Sequence, residues 1–494
     1  MAKQGIPKIK IPIRPQELSI EIVESYLATI FNQFTQNAQK IRRDYDKYCL
    51  DHAILGKQRP FGDSEVNNIV LVPSIKALVD WKTGYVFGNP IKYAQNKGSR
   101  INDINYLNKY VRSSSQRTVD KEVGTWAYST GVGYYFIEPK SYDVDSENIA
   151  PYELYQIDSD VCTKVYSSFH GNKALFDIIY TEYKDRSKGV RETVRVLDIY
   201  FPNYLYTYEK RVGDWVRTRV ASRGMNKPLP LVEKRLNSDG IGIVAMGDSM
   251  QTAIDKLVSN GLDNVEEVVN EIFVYTNTSI GATPKEASEN HQAMKKGGAI
   301  AIKDPSNGSK ASVTTISPKL ELDKVTQMYD LINGVFHSVI GVPMEMSNTN
   351  SGNTTKQGSE VANGYDNAYN RALDDINTFM KADTELLEKI MWICKNTPDS
   401  KVDSLATSEI EIKYSLNLTD NIMSKAQAFG TLIQYMPPAM ALQKVRLSSD
   451  PEAEGLQIEQ SEVYKAFLAG LNKSKENQTE QQIENTIKTD RNIE

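Results

Sequence analysis

The block Gly247-Asp248-Ser249-Met250 holds the residue types that could most directly support catalysis. It resembles the nucleophile block of one class of serine hydrolases, where a histidine takes the serine proton and an acid orients that histidine. No Asp-x-x-His follows it, and downstream there are only His291 and His337. Because apolar residues recur at helical spacing after this block, the pattern favours Asp248 or Ser249 as the N-cap of a helix. A hydrolase that uses Ser249 is kept as the alternative.

Two further motifs resemble binding loops but do not have the residues or the spacing that such loops require. The run Asp143-Val144-Asp145-Ser146-Glu147 resembles the start of a calcium loop, but Asn148 stands where a glycine is required and Leu154 where a bidentate glutamate is needed. The run from Ser351 to Lys356 resembles a phosphate loop in composition, without its spacing or a preceding strand. We therefore expect no metal and no cofactor.

The histidines and cysteines show no ligand or catalytic spacing. The histidines are His52, His170, His291 and His337, and the cysteines are Cys49, Cys162 and Cys394. Three widely separated cysteines indicate a reducing compartment and small buried apolar roles. The sequence therefore predicts a protein that is not an enzyme.

The composition limits the class of protein further. The chain has 494 residues, 40% hydrophobic and 24% charged, with a net charge of -5. That length predicts several domains or one elongated subunit. The negative charge argues against tight nucleic-acid binding, but not against a surface that lets nucleic acid pass. No apolar run approaches membrane-spanning length, and residues 1–7 lack the apolar core of a signal peptide, so we expect a protein that is cytosolic when made.

The first half of the chain is predicted to be helical and then β-rich. Apolar spacing predicts helices over 17–48, 67–86 and 101–111. From 132 to 222, short Val/Ile/Tyr/Phe runs separated by turn residues predict an antiparallel sheet.

The second half alternates long helices with polar segments. A helix is predicted from about 246 to 272, with six acids against Lys256, followed by strand and turn signals with several lysines over 273–318. Another helix is predicted over 320–340. A polar segment with little apolar surface follows at 344–355, and a long helix is predicted after it, to about 397. A strand over 409–416 must join a sheet formed earlier; helices at 422–436 and 459–471 precede a polar tail from 474.

The order of these parts resembles the portal, or head-to-tail connector, proteins of tailed bacteriophages of the siphophage type. The resemblance rests on Asn67–Val70, on Val79–Tyr93 with its Gly-Tyr-x-x-Gly-x-Pro-Ile turn, and on Tyr128–Tyr134. It also rests on Pro230–Glu233 before the acidic helix, and on Val342-Pro343 with Ser351-Gly352-Asn353. It spans about 67–418, and it is carried by the order of the motifs rather than by any single one.

The resemblance implies an α+β fold: an elongated portal-type subunit with a helical stem, a mixed α/β wing, a small α/β clip and a helical crown, assembling into a ring. The implied division is an N-terminal arm and helix 1–46, wing 47–246, first stem helix 247–275, clip 276–318, second stem helix 319–342, tunnel loop 343–357, long wing helix and returning strand 358–420, crown 421–473 and polar tail 474–494.

The implied function is a dodecameric ring at one capsid vertex that conducts double-stranded DNA without reading its sequence. Implied partners are the large terminase, the major capsid and scaffolding proteins and a head-tail adaptor, with no membrane; the implied location is the virion, and the host cytoplasm during assembly. Another virion ring, such as a head-tail adaptor, is a further alternative.

Three groups of residues would then carry the function. The DNA-facing loop would comprise Ser347, Asn348, Thr349, Asn350, Ser351, Asn353, Thr354 and Lys356; the acidic tunnel lining Asp255, Asp263, Glu266, Glu267, Glu271, Asp323 and Asp330; and the basic clip residues Lys285, Lys295, Lys296, Lys303 and Lys310. A ring of acids would repel the phosphates that pass it, which favours sliding over binding. The loop amides and hydroxyls could touch phosphate weakly without reading sequence.

Overall fold

The computed structural model describes most of the chain, with gaps between elements. The described residues are 5–58, 66–95, 101–140, 150–169, 171, 173–185, 192–211, 213–224, 227–269, 272–276, 283–297, 312–316, 322–343, 354–398, 400, 402, 405–416, 422–445, 447, 451–466 and 469. The chain divides into two compact units. Unit 1 comprises Met1–Lys82, Glu122–Phe136 and Gln156–Ala382, and unit 2 comprises Thr83–Lys121, Ile137–Tyr155 and Asp383–Glu494.

The secondary structure is mixed. The helices are α1 (Ile20–Tyr48), α2 (Ser74–Phe87), α3 (Ile101–Ser113), α4 (Gln116–Thr130), α5 (Ile243–Val269), α6 (Pro284–Gly297), α7 (Leu322–Ile340), α8 (Thr354–Lys395), α9 (Ile422–Leu432), α10 (Pro438–Val445) and α11 (Pro451–Gln460). The strands are β1 (Ile9–Ile11), β2 (Lys92–Gln95), β3 (Val132–Pro139), β4 (Tyr152–Ile157), β5 (Cys162–Ser167), β6 (Ala174–Asp185), β7 (Glu192–Tyr200), β8 (Tyr204–Lys210), β9 (Val216–Ser222), β10 (Leu231–Arg235), β11 (Ile272–Thr276), β12 (Ser312–Ile316) and β13 (Ile410–Lys413).

In unit 1, α1 packs on a six-stranded sheet. Ser19 caps the helix by accepting the backbone N–H of Ile22. Its buried stripe includes Val23, Ile30 and Phe34, which share one apolar core with residues of β1, β5, β6, β7 and β8. Each such side chain contributes roughly 1.5–3 kcal/mol on burial. The helix predicted over 17–48 is therefore confirmed.

The six-stranded sheet has the order β1-β5-β6-β7-β8-β9. The pairs from β5 to β9 are antiparallel, as the sequence predicts. The edge strand β1 pairs with β5 in parallel, with Ile9 opposite Val165 and Ile11 opposite Ser167. Sequence reasoning missed β1, because three residues are too few to show a period.

A second core of unit 1 lies beside the antiparallel pair of β3 and β10. Trp126 of α4 is buried there and stacks on Tyr45 of α1, with ring centroids 3.8 Å apart. Glu233 of β10 lies buried at its edge, and its carboxylate accepts hydrogen bonds from Tyr134 and Tyr166. Arg235 Nε lies 3.1 Å from the same carboxylate. These side-chain contacts tie β10 to the strands that carry Tyr134 and Tyr166.

In unit 2, β2 pairs antiparallel with β13, which confirms that the late strand joins an element formed much earlier. Asn108 of α3 bonds both the N–H and the carbonyl of Tyr93. Tyr414 donates its hydroxyl hydrogen to Asp383, and its ring meets Phe87 edge to face.

Several helix boundaries differ from the sequence predictions. Residues 67–73, predicted as the start of a helix, have no regular secondary structure, and α2 begins at Ser74 after Pro73. A residue before proline disfavours the helical conformation, which explains the late start. Sequence reasoning did not predict α4, and it assigned only strand and turn signals to the segment that contains α6. At the end of the chain, α11 begins at Pro451, eight residues before the helix predicted at 459–471.

Candidate functional site

Helix α5 begins earlier than predicted. Its first backbone hydrogen bond joins Met246 N to Gly242 O, and the helix starts at Ile243. Asp248 and Ser249 therefore lie in its second turn, and the prediction that one of them caps the helix is wrong. Asp248 pairs instead with Lys47 of α1 at 2.6 Å, and Ser249 is exposed.

One face of α5 carries a buried polar stripe at every fourth residue, formed by Gln251, Asp255, Ser259 and Asp263. Residues spaced by four lie on the same face of a helix. All four contact the irregular segment 66–73 or the first turn of α2. We call this set the polar stripe.

Asp255 is 1% exposed and is bonded through both carboxylate oxygens. Val72 N donates to Oδ1 at 3.0 Å, and His52 Nδ1 lies 2.8 Å from Oδ2. Gln251 Nε2 also donates to Oδ1. A buried carboxylate needs such partners, because desolvation alone would be costly.

Asp263 follows the same arrangement about two turns further along. Asn68 N donates to Oδ1 and Lys57 Nζ to Oδ2, each at 2.6 Å. Burial opposes ionisation of this carboxyl, but the hydrogen bonds from Lys57 and from the Asn68 amide outweigh it and hold the pKa of Asp263 below its usual 3.8. The carboxylate is therefore the stable form of Asp263 at neutral pH.

These positions change the predicted acidic lining. The carboxylates of Asp255 and Asp263 point into the protein, where they bind the partners of the polar stripe. Within this chain they therefore do not form an exposed acidic surface. Glu266 is exposed on α5. Glu267 is helical with a side chain outside the described set, and Glu271 lies outside the described residues.

Helix α7 packs on α5 through Phe336, which is fully buried. A Cβ atom added at Gly247 of α5 would collide with the Phe336 ring, and a Cβ at Gly261 would meet Val325 at 3.5 Å. The two helices therefore approach closely where α5 has glycine.

The rest of α7 has two further faces. Its exposed apolar side chains are Met328 at 49%, Leu331 at 63%, Val335 at 48% and Val339 at 44% exposure. At about 100° per residue, they fall within an arc of about 80°, next to the face that holds Phe336. Asp323 and Asp330 are exposed, and they lie about 120–140° from the centre of the apolar arc. We call these the apolar face and the acidic face of α7.

The end of α7 is fixed by α8. Gly341 has a φ of +75°, and its N–H and that of Val342 both donate to His337 O, so the helix terminates in a left-handed turn. Arg371 of α8 donates to Val339 O at 2.7 Å and lies where a Cβ of residue 341 would be. A cation at a helix C-terminus also interacts favourably with the helix dipole.

Most of the predicted loop and part of the predicted clip fall outside the described residues. Those residues are Ser347, Asn348, Thr349, Asn350, Ser351, Asn353, Lys303 and Lys310. Thr354 and Lys356 belong to α8, which takes up the last four residues of the predicted loop, and Lys285, Lys295 and Lys296 belong to α6. Among these helical residues, the side chain of Lys285 is described, and it is exposed.

Sequence reasoning missed the roles of Gln251 and Ser259. Their four-residue spacing with Asp255 and Asp263 was visible in the sequence, but counting charge along the helix did not separate buried from exposed acids. Within the described residues, no three His, Cys, Asp or Glu side chains are placed to hold a metal ion. In the same part of the chain, no helix is both long and apolar enough to span a membrane.

Comparison with known proteins identifies the family. A search of curated proteins found no match. The family model described as phage portal protein, SPP1 Gp6-like, matches residues 27–466, which is most of the chain and includes α5, α7 and α8. The family is one of bacteriophage portal, or head-tail connector, proteins, and its role in DNA packaging is structural. From this match and the mixed α+β architecture, we conclude that the chain belongs to the SPP1 Gp6-like phage portal protein family.

Proposed function

We propose that this chain assembles into a closed ring at one capsid vertex and that the ring conducts double-stranded DNA during packaging and ejection. Family membership over residues 27–466 supports a role as a DNA conduit in the virion. Within the chain, the observation that supports ring formation is the exposed apolar face of α7.

The apolar face favours contact with a second copy of the chain. Four large aliphatic side chains in one arc are a costly surface to leave in water, since each would contribute roughly 1.5–3 kcal/mol on full burial. The neighbouring arc of α7 is already covered by α5. In a ring, every copy would present the same face to the next copy, so the contact would repeat until the ring closes.

The acidic face of α7 would then be free to line the opening. Asp323 and Asp330 lie away from both packed faces of the helix, and many copies around an axis would add their charges. Their repulsion of phosphate would keep DNA from binding tightly as it slides. In this proposal the negative charge of the lining comes from α7 and from Glu266, Glu267 and Glu271 near the end of α5. Asp255 and Asp263 do not contribute to the lining.

The remaining assignments complete the proposal. Residues 343–353 and the start of α8 would form the loop that touches DNA, and the segment with β11, α6 and β12 would form the clip. Lys285, Lys295, Lys296, Lys303 and Lys310 would make the clip basic, suited to acidic surfaces of a terminase or a head-tail adaptor. The major capsid and scaffolding proteins would contact the wing. A dodecamer in the virion, assembled in the host cytoplasm, is the expected form.

The ring can be tested on the purified protein. Negative-stain electron microscopy and native mass spectrometry are expected to show a closed ring with a central opening wide enough for a DNA duplex. A monodisperse monomer at high protein concentration, in every buffer tried, would overturn the proposal.

The acidic lining is tested by neutralising it. The double variant Asp323→Asn, Asp330→Asn is expected to bind double-stranded DNA more tightly than wild type at low salt, measured by fluorescence anisotropy. The difference should vanish near 1 M salt, where the screening length is about 3 Å. Asp214→Asn, an exposed acid between β8 and β9, is the control and should leave DNA binding unchanged. Equal binding by the double variant and this control would contradict an α7 lining.

A further inference from the structure

Residues 66–73, which we call the strap, belong to no helix or strand, and their backbone is bonded to side chains of a helix. Val70 N donates to Ser259 Oγ at 3.0 Å, and Ser259 Oγ lies 3.3 Å from Val70 O. With the bonds from Asn68 and Val72 described above, three alternate strap amides meet three successive members of the polar stripe. Strap and helix run in opposite directions.

The match between strap and helix is geometric. Residues spaced by four on a helix rise about 6.0 Å, and two residues of extended chain rise about 6.4–6.8 Å. One face of α5 can therefore bind every second amide of the strap, much as a neighbouring strand would. A shift of the strap by one residue would turn all three bonded amides away together, so the register is specified as it is between strands.

At its far end, the stripe reaches helix α2. Gln251 Nε2 donates to Val72 O at 2.6 Å, and Gln251 Oε1 accepts from Ile75 N at 2.9 Å. Ile75 is in the first turn of α2, where backbone N–H groups have no partner within their own helix. A side chain of α5 thus satisfies the start of α2 directly.

The strap is also held by two residues that precede it in the chain, and the polar stripe that it contacts is buried. His52 and Lys57 reach the second oxygens of Asp255 and Asp263, and Lys57 Nζ also donates to Asn68 O at 3.1 Å. Gln251, Asp255, Ser259 and Asp263 are all at most 4% exposed. Hydrogen bonds in such an environment are stronger than in water, and an unpaired partner is costlier.

We propose that the strap is a coupling element, which passes a displacement of α5 to the start of α2 instead of absorbing it. An extended connection without side-chain bonds would yield at its backbone dihedrals. This one is bonded to α5 at both ends and in the middle, so α5, the strap and the first turn of α2 move as one body. The contacts lie within one chain, so the inference does not depend on ring formation.

The test is residue-resolved hydrogen–deuterium exchange of the intact wild-type protein and of Ser259→Ala. In wild type, the amides of Asn68, Val70 and Val72 are expected to be protected. Removing the Ser259 hydroxyl should speed exchange of the Val70 amide by about tenfold. If the strap couples the helices, exchange in the first turn of α2 rises in the same variant.

Ser249→Ala is the matched control, because it makes the same change on the exposed side of α5 and should alter neither region. Gln251→Ala, which removes the acceptor for Ile75 N, should speed exchange at the start of α2 and localise the coupling. Exchange of the three strap amides at the rate of an unstructured peptide in wild type would overturn the inference. Faster exchange at Val70 in Ser259→Ala with α2 unchanged would overturn it as well.

Discussion

At the scale of single residues, the main finding is how unit 1 satisfies charges that it buries. Glu233 illustrates this, since two tyrosine hydroxyls, Arg235 and the more distant Lys8 surround one carboxylate. Burial opposes its ionisation, but the nearby charges of Arg235 and Lys8 and the two hydroxyl donors lower the pKa of Glu233 below its usual 4.5. The network therefore needs a carboxylate at this position.

This gives a pH prediction for Glu233→Gln. A carboxyl with a lowered pKa stabilises the folded state above its unfolded pKa, and that contribution is lost as the pH falls through the folded value. At pH 7 the variant should lose about 3–5 kcal/mol, because it leaves the buried guanidinium of Arg235 and the partly exposed ammonium of Lys8 without their carboxylate. Urea unfolding followed by tryptophan fluorescence should show a smaller loss of stability below pH 4.5 in the variant than in wild type. Parallel pH profiles would contradict this role.

A second residue-scale prediction concerns Leu50, which follows α1 with a φ of +74°. Asp51 N bonds to Asp46 O, so the turn is one that normally uses glycine in this left-handed position. Leu50→Gly should be more stable than Leu50→Ala by about 1 kcal/mol, because both lose the same side-chain packing but only glycine relieves the strain. Thermal or urea unfolding of the two variants measures this difference. Equal stabilities would mean that the turn is not strained.

At the scale of elements, the contact between α5 and α7 depends on a glycine. Phe336 of α7 occupies the space beside Gly247 of α5, and Arg371 of α8 closes the end of α7 at Gly341. Helices α5, α7 and α8 are thus held to one another inside a single chain. The bonds from α5 to the strap add α2 to this group.

Gly247→Ala tests the close approach. Alanine in a helix interior normally stabilises by about 1 kcal/mol relative to glycine. Here we expect the opposite sign, a loss of about 1–3 kcal/mol, because the added methyl group must displace the Phe336 ring. Gly334→Ala in α7 is the matched control, since nothing lies within 4 Å of a Cβ there, and it should stabilise. Stabilisation by both substitutions, measured by urea unfolding, would show that α5 and α7 can separate at this point.

At the scale of the whole molecule, assembly is the property that the proposed function requires. The apolar face of α7 is the surface of the chain whose burial we expect to accompany ring closure. A charged residue in the middle of that face would have to be desolvated at every contact in the ring.

Leu331→Asp should therefore prevent ring formation at micromolar concentration while leaving the fold of the chain intact. The adjacent substitution Asp330→Asn lies on the acidic face and should assemble as wild type does. Native mass spectrometry gives the copy number, and circular dichroism checks that the variants are folded. Normal rings from Leu331→Asp would place the contact between copies elsewhere.

Local pattern alone was sufficient for the long helices and the sheet. The periods of α1, α7 and α8 and the short Val/Ile/Tyr/Phe runs from β5 to β9 are properties of consecutive residues, and a helix or hairpin forms from neighbours in the chain. The family was also readable from the order of short motifs, and the match over residues 27–466 confirms it.

Only the tertiary structure decided which polar side chains of α5 face solvent and which bind the strap. Asp255 and Asp263 look like surface acids in the sequence, because their partners at 52–72 lie 183–206 residues away along the chain. The non-helical state of 67–73 and the parallel pairing of β1 also depend on distant contacts, in addition to the effect of Pro73 and the shortness of β1. Their hydrogen bonds are made to distant elements, so neither the period nor the propensity of the local residues records them.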